Sequence, residues 1–450
     1  MSEEPVAVTL TGWGGTAPSV AHCLSAAGAG DVASLVGSAG ARGLIARGLG
    51  RSYGDAAQNA GGVVLLPLPE TITLDRVRGL VTASAGTDLQ SLIRFLLPQG
   101  FFVPVTPGTR YVTLGGAVAA DIHGKNHHRV GSFGNHVVSL DLVTADGECR
   151  TIGPRTDPAL FWATVGGMGL TGVITAVTLR VLPVESGWMS VRTERLDDLA
   201  TVMRRMREAD RESTYSVAWI DTLATGRGLG RSVLTTGEHA LLADLPARAA
   251  RNPLRLPSDP RLGAPALAPR GAISRPTVRV FNEAWFRKAP RHRVGEIQTL
   301  GAFFHPLDGV GHWNRLYGRS GFVQYQLAIP DAAEQALPEL VAIVARARHP
   351  SFLSVLKRFG PGNPGLLSFP FEGWTLALDL PTRPGLLDLF ADLDRRVLEA
   401  GGRLYLAKDS RMSATALERM YPRVGEFREI RNRLDPGRVF QSDLSRRLLL

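Results

Sequence analysis

The 450-residue chain has two cysteines, Cys23 and Cys149, far apart and outside any CxxC spacing. That scarcity excludes a disulfide framework and a cysteine-based metal site, and both thiols are expected to be free and buried. Long apolar runs are missing too. No stretch approaches the roughly 20 apolar residues that span a bilayer, and the opening MSEEPVAVTLTGW carries Glu3 and Glu4 where an export signal would be basic. No Sec signal is therefore expected. Acidic residues are outnumbered, 41 against 51 Lys plus Arg, for a formal net charge of +10. Such a balance admits nucleic acid, an anionic membrane face or a phosphorylated substrate. The cations are spread along the chain without a helix-turn-helix, zinc-finger or RNP-type pattern, which counts against nucleic acid.

What is present is glycine punctuation between strand-like and helix-like segments, with enough apolar residues, 44 %, for two domains at this length. In TDLQSLIRFLLPQG, Leu89, Leu92, Ile93, Leu96 and Leu97 fall on one helical face, with Thr87 or Asp88 as cap and Gly100 as stop. VVSLDLVTADGECRTI reads as a hairpin around Asp146-Gly147. Composition shifts near residue 187, and residues 238–276, rich in Pro, Arg and Ala without a period, read as a long mobile loop. Strand signals return in GFVQYQLAIP, SFLSVLKRFG and GWTLALDLP, followed by a helix bearing Leu386, Leu389, Phe390, Leu393 and Val397. The fold class is α+β.

Three glycine clusters carry the chemistry. RGLGRSYGD, residues 47–55, can turn successive N–H groups toward one anion. It matches GxGxxG only loosely, because Tyr53 fills the last glycine position and Gly54 follows one residue late. TLGGAVAADIHGKNHH and VGGMGLTGV are the others, and together the three suggest a large cofactor lying along the backbone. His123, His127 and His128 could supply metal ligands only on a helix, and Gly124 and the lack of an HExxH carboxylate argue against it. Lys125 in this context can hold a phosphate. Gln324 and Gln326 alternate onto one strand face, where two amides can bond sugar hydroxyls. Lys357 and Lys408 stand at strand-like positions among apolar neighbours, where a lysine is unfavourable unless paired.

The succession of RGLGRSYGD, TPGTRYVTLGGAVAADIHGKNHH, GSFGNHVVSLDLVTADGE and FWATVGGMGLTG resembles the FAD-binding domain of the vanillyl-alcohol-oxidase-like flavoenzymes. Within that superfamily DIHGKNHH, FGPGN and YPRVGEFREIRNRLDPGRVF are similar to the decaprenylphosphoryl-ribose 2′-oxidase branch, over nearly the whole chain. The resemblance implies a PCMH-type FAD-binding domain from residues 1–186 and 403–450, and a sheet-containing substrate-binding domain from 187–402. It implies noncovalent FAD, no metal, and oxidation of the 2′-hydroxyl of a polyprenylphosphoryl ribose to a ketone. An NADH-dependent reductase would complete the epimerisation to an arabinose lipid for cell-wall arabinan. A membrane-associated location, on the cytoplasmic or the envelope face, is implied as well.

By the same resemblance Ala46, Arg47, Gly48, Leu49, Gly50, Arg51, Ser52, Tyr53, Gly54 and Asp55 cradle the pyrophosphate. Gly108, Thr113, Leu114, Gly115, Gly116, Ala120, Asp121, Ile122 and His123 continue the contact, with Gly167, Gly172, Val173 and Tyr405 beyond. Lys408 is expected to stabilise the reacting oxygen, and the proton acceptor is open between Lys408, His123 and water. Lys125, Gln324, Gln326, Lys357, Thr375, Ala377, Phe304 and Trp219 are expected at the substrate. Three positions depart from the family pattern: Ala377 replaces a cysteine that covalent nitroaromatic inhibitors capture, Thr375 an asparagine and Phe304 a tyrosine. Two other readings stay open: a related sugar, alditol or lactone oxidase, and a non-catalytic basic scaffold.

Overall fold

The computed structural model describes residues 6–256, 262–264 and 273–450. Two sheets come from the first 186 residues. Strands Val6–Leu10, Ser19–Leu24, Val63–Leu65 and Leu44–Ala46 lie in that order, the last three mutually parallel. A five-stranded antiparallel sheet follows, ordered Ile72–Asp75, Leu80–Ser84, Val173–Arg180, Val137–Val143 and Cys149–Ile152. The Asp146-Gly147 hairpin forms as the pattern predicts, with Val143 opposite Cys149 and Gly147 at φ +80°. The helix Leu89–Leu96 begins where Asp88 accepts from the Ser91 N–H at 2.7 Å, and Gly100 ends the turn that follows it at φ +82°.

An eight-stranded sheet spans the rest, ordered His292–Thr299, Trp188–Leu196, Ser232–His239, Tyr215–Ile220, Ser354–Phe359, Gly373–Pro381, Phe322–Pro330 and Arg403–Leu404. Gly373–Pro381 is buried along its whole length because both faces are covered. Leu376, Leu378 and Leu380 pack with Leu337, Leu340, Leu389 and Leu393 of the helices Ala336–Ala347 and Leu386–Glu399. Thr375, Ala377 and Asp379 alternate onto the other face. Arg403 and Leu404 pair with Ala328 and Leu327, so these two residues sit in the large sheet, and the segment expected to return to the first half does so only beyond them.

Two expectations need correction. Cys23 is half-buried and Cys149 exposed, since Cys149 opens an edge strand whose alternation turns it outward. Residues 238–256 are not an irregular loop: 238–239 finish a strand, Leu242–Asp244 and Ala247–Ala250 are helical turns, and Leu245 and Ala249 bury against Trp188 and Ile297. Residues 257–261 and 265–272 of that expectation lie outside the described residues.

The C-terminal helices close the molecule on its first strands. Leu44 donates to Val439 at 2.7 Å and Gln441 donates to Leu44 at 2.9 Å. Arg447 then pairs with Asp55 at 2.7 Å and with Asp409 at 2.8 Å, the latter side chain only 2 % exposed. Removing one partner of a buried ion pair leaves a charge uncompensated, at about 3–5 kcal/mol. Arg447→Met is therefore expected to destabilise the fold by an amount of that order, read as a large drop in Tm by calorimetry.

Candidate active site

The loop 46–55 is shaped for close approach. A Cβ on Gly48 would meet Thr113 Oγ1 at 2.3 Å, and one on Gly54 would meet the Asp409 carbonyl at 2.0 Å. Gly50 takes φ +65° over the Arg47 guanidinium. The Arg47 side chain donates to the carbonyls of Ala57 and Thr11, which braces the loop from behind. Among the described residues the backbone N–H groups of Gly48 to Ser52 donate to no acceptor. Beside them Arg51 lies over Trp13, 3.9 Å from the ring centroid, with its buried Nε unpartnered and its pKa held down by burial. A run of free amides next to a cation is what a pyrophosphate needs, so these residues fit FAD.

Tyr53 links this loop to the large sheet. Its N–H donates to Ala407 at 2.9 Å, and its hydroxyl accepts from Gln324 Nε2 at 3.2 Å. Strand register then places Gln324 opposite Asp379, Gln326 opposite Ala377, Lys357 opposite Thr375, and Val355 opposite both Ala377 and Trp219. Directly paired residues share a face, so Gln324, Gln326, Thr375, Ala377, Asp379, Lys357 and Trp219 form one polar-lined surface. Gln326 Nε2 bonds His123 Nε2 at 2.9 Å and Thr375 at 3.3 Å. With Gln326 donating, the His123 proton sits on Nδ1, a buried atom without a partner. The ring is packed between Phe359 at 4.8 Å and Tyr405 at 5.3 Å.

Electrostatics sharpen the surface. Lys408 is held in the turn after Arg403–Leu404 by its N–H bond to Tyr405, not in a strand as its neighbours suggest, and its Nζ stands 4.0 Å from the Tyr53 ring centroid. Burial lowers its pKa and raises that of Asp379, while the attraction between the two opposes both shifts. Asp379 accepts from Gln324 through Oδ1 and leaves Oδ2 buried and free. Burial brings Lys357 to about 8 and Lys125 to about 7. It also brings His127 to about 3 and holds His123 far below the usual imidazole range, both neutral at pH 7. The three lysines are enclosed by protein yet each keeps some accessible surface.

Several expected contacts are reassigned. Lys125 Nζ donates to the Phe303 carbonyl and stands over the Phe303 ring at 4.4 Å, which ties its side chain to that segment through one of its donors. Phe304 is buried against Phe102, Phe303 and Tyr215, away from the polar face. Asp55 is consumed by Arg447, and Thr113 caps its own helix through Gly116. Asp121, at φ 41°, accepts from Ser132, Gly134, Asn363 and Ser368, so its carboxylate braces the surrounding loops. Leu114 is core. Gly167 and Gly172 make close backbone contacts with Ala163 and Val143, and Gly108 has open space beside it. Tyr405 donates to the Ala120 carbonyl at 2.7 Å. Asp379 was missed by residue reading, although the alternation that singles out the two glutamines also isolates it in LALDLP.

Comparison with known proteins agrees with this geometry. Residues 21–153 match the FAD binding domain family, and residues 373–448 match the D-arabinono-1,4-lactone oxidase family. The chain is 45 % identical to decaprenylphosphoryl-β-D-ribose oxidase of Mycolicibacterium smegmatis, over 98 % of this chain and 97 % of that protein. It is 24 % identical to L-gulono-1,4-lactone dehydrogenase of Mycobacterium tuberculosis, over 93 % and 94 %. Fold and site thus define an FAD-dependent oxidoreductase that acts on CH–OH groups, built as two α+β units. Within that class, the chain belongs to the decaprenylphosphoryl-β-D-ribose oxidase family.

A lysine whose pKa the fold depresses destabilises the fold wherever the unfolded chain is protonated, because the fold must then either bury the charge or give up the proton. The penalty is complete below the folded pKa and vanishes above the unfolded value of 10.5. Stability of the protein is therefore expected to rise as pH climbs from about 7 to about 10. Lys357→Met should raise Tm at pH 7 and shorten that climb, as thermal melts across the range will show.

Proposed function

We propose that the protein oxidises the 2′-hydroxyl of a polyprenylphosphoryl ribose to the ketone. The observation that carries the reading is the single polar face of Gln324, Gln326, Lys357 and Asp379, joined through Tyr53 to the pyrophosphate cradle. Support for the substrate comes from the name of the M. smegmatis relative. Gln324 and Trp219 border the sugar space, Gln326 orients His123, and Lys357, whose burial is offset by no attracting charge, supplies a cation for the phosphate. Bound FAD, held by residues 48–52 and Arg51, supplies the acceptor for the hydride that leaves C2′.

The hydroxyl proton goes to the Lys408–Asp379 pair. Two forms with the same number of protons, carboxylate with ammonium and carboxylic acid with amine, are brought close in energy by burial. The amine form can accept the substrate proton while the positive charge it gains stabilises the developing alkoxide. His123 is unsuited to be the base, because Nε2 is occupied by Gln326 and the ring resists protonation; its unpartnered Nδ1–H is available to donate to a bound ligand. An NADH-dependent reductase acting on the keto product, and work at a membrane surface, complete this reading. A lactone or alditol oxidase is the second reading, favoured by the family match over residues 373–448.

Anaerobic flavin bleaching decides between them: a polyprenylphosphoryl ribose should bleach the holoenzyme and free alditols or lactones should not, and the reverse pattern would replace the assignment. Lys408→Ala should keep its flavin and lose turnover roughly 100-fold, equivalent to about 3 kcal/mol of transition-state stabilisation. Ala377→Cys places a thiol opposite Gln326 on the polar face. It should form a mass-detectable adduct with a nitroaromatic inhibitor, which the parent protein does not form.

A further inference from the structure

We propose that the outward face of the helix Arg275–Lys288 docks on an anionic lipid bilayer. The inner side of the helix is already satisfied: Val278 and Phe286 are buried, Asn282 donates to Asp221 at 2.6 Å, and Arg231 joins Asp221 at 2.7 Å to Glu283 at 2.8 Å. Its outer side presents Val280, Phe281 and Trp285, which are 71, 42 and 44 % exposed. Phe281 and Trp285 stack with centroids 6.1 Å apart.

Cations flank this stripe. Arg279, Arg287 and Lys288 are exposed on the helix, and Arg291 and Arg293 follow it; Glu283, the one acid of the helix, is consumed by arginines. Aromatic and branched apolar side chains ringed by arginine and lysine fit the headgroup boundary of a bilayer that carries negative charge. The same features disfavour protein partners. One stripe of a single helix falls well short of the ~800 Å² that each side of a stable protein interface buries. In a two-fold pairing of copies the basic flanks would face one another.

The face is also coupled to the active site. Phe281 meets Phe352 at 6.0 Å, Phe352 meets Tyr317 at 5.9 Å, Tyr317 stacks on Phe322 at 4.0 Å, and Phe322 meets Tyr53 at 5.3 Å. A continuous body of rings therefore connects the docking face to the tyrosine under Lys408. Why a membrane should be met at this point rests on the lipid-phosphate reading above; the docking itself rests on the surface alone.

Sedimentation of the holoenzyme with phosphatidylcholine vesicles, with and without phosphatidylglycerol, tests the proposal. Binding should need the anionic lipid, weaken with salt, and fall roughly tenfold or more in Phe281→Ser/Trp285→Ser and in Arg279→Ser/Arg287→Ser/Lys288→Ser. Flavin content and Tm verify that both variants fold. No binding to anionic vesicles, equal binding by the variants, or a dimer that dissociates in the variants without any vesicle binding would each overturn it. Bleaching by a short-chain farnesylphosphoryl ribose in detergent separates the two readings. Bleaching without vesicle binding defeats the docking alone, and vesicle binding without bleaching defeats the substrate alone.

Discussion

Everything at the active site depends on the approach of two backbones, the glycine loop at Tyr53-Gly54 and the turn at 405–409. The Tyr53 N–H reaches the Ala407 carbonyl at 2.9 Å, and only glycine fits at 54 against the Asp409 carbonyl. That contact places a loop of free amides beside the turn that carries Lys408, and sets the Tyr53 ring between the lysine and the large sheet. Arg447, bonded to both Asp55 and Asp409, holds the two together from outside. Cofactor cradle and Lys408 are thus parts of one junction.

The site holds lysines at 125, 357 and 408, the outer two each repelled by Lys357, and a buried carboxylate, Asp379, that attracts Lys408. Enclosure makes every one of these charges unfavourable, and the structure answers each in a different way. Lys125 is tied to a carbonyl and a ring, Lys408 stands over the Tyr53 ring and feels the attraction of Asp379, and burial of Lys357 is offset by no attracting charge. An anionic substrate group would relieve the last of these.

Local pattern made much of the fold legible. The helix at 89–96, the Asp146-Gly147 hairpin and the glutamine strand follow from short-range rules of periodicity and turn chemistry, and all appear where those rules put them. The two-domain α+β class was legible through the glycine clusters and their family resemblance. What was hidden depends on long-range packing. The fate of Lys125 is decided by Phe303, 178 residues away, and that of Asp55 by Arg447, 392 residues away. Phe304 lies in an aromatic core with Phe102 and Tyr215, partners distant in sequence. Asp379 could have been found from alternation alone, but a single acid in an apolar strand draws less notice than a pair of glutamines. The helical turns within 238–256 were obscured by proline, which opens the second of them at Pro246.

The return of the C-terminal helices to the first strands has a bearing on biosynthesis. Leu44, Gln58 and Asp55 find partners in Val439, Asp443 and Arg447, nearly four hundred residues later. On a ribosome the amino-terminal strands emerge early, but the clasp over their glycine loop is among the last segments made. Contacts of such sequence separation form slowly, and chains awaiting them expose apolar surface. Loading of the dinucleotide is then tied to completion of the polypeptide, and a truncated or stalled product would retain a cradle that nothing holds shut.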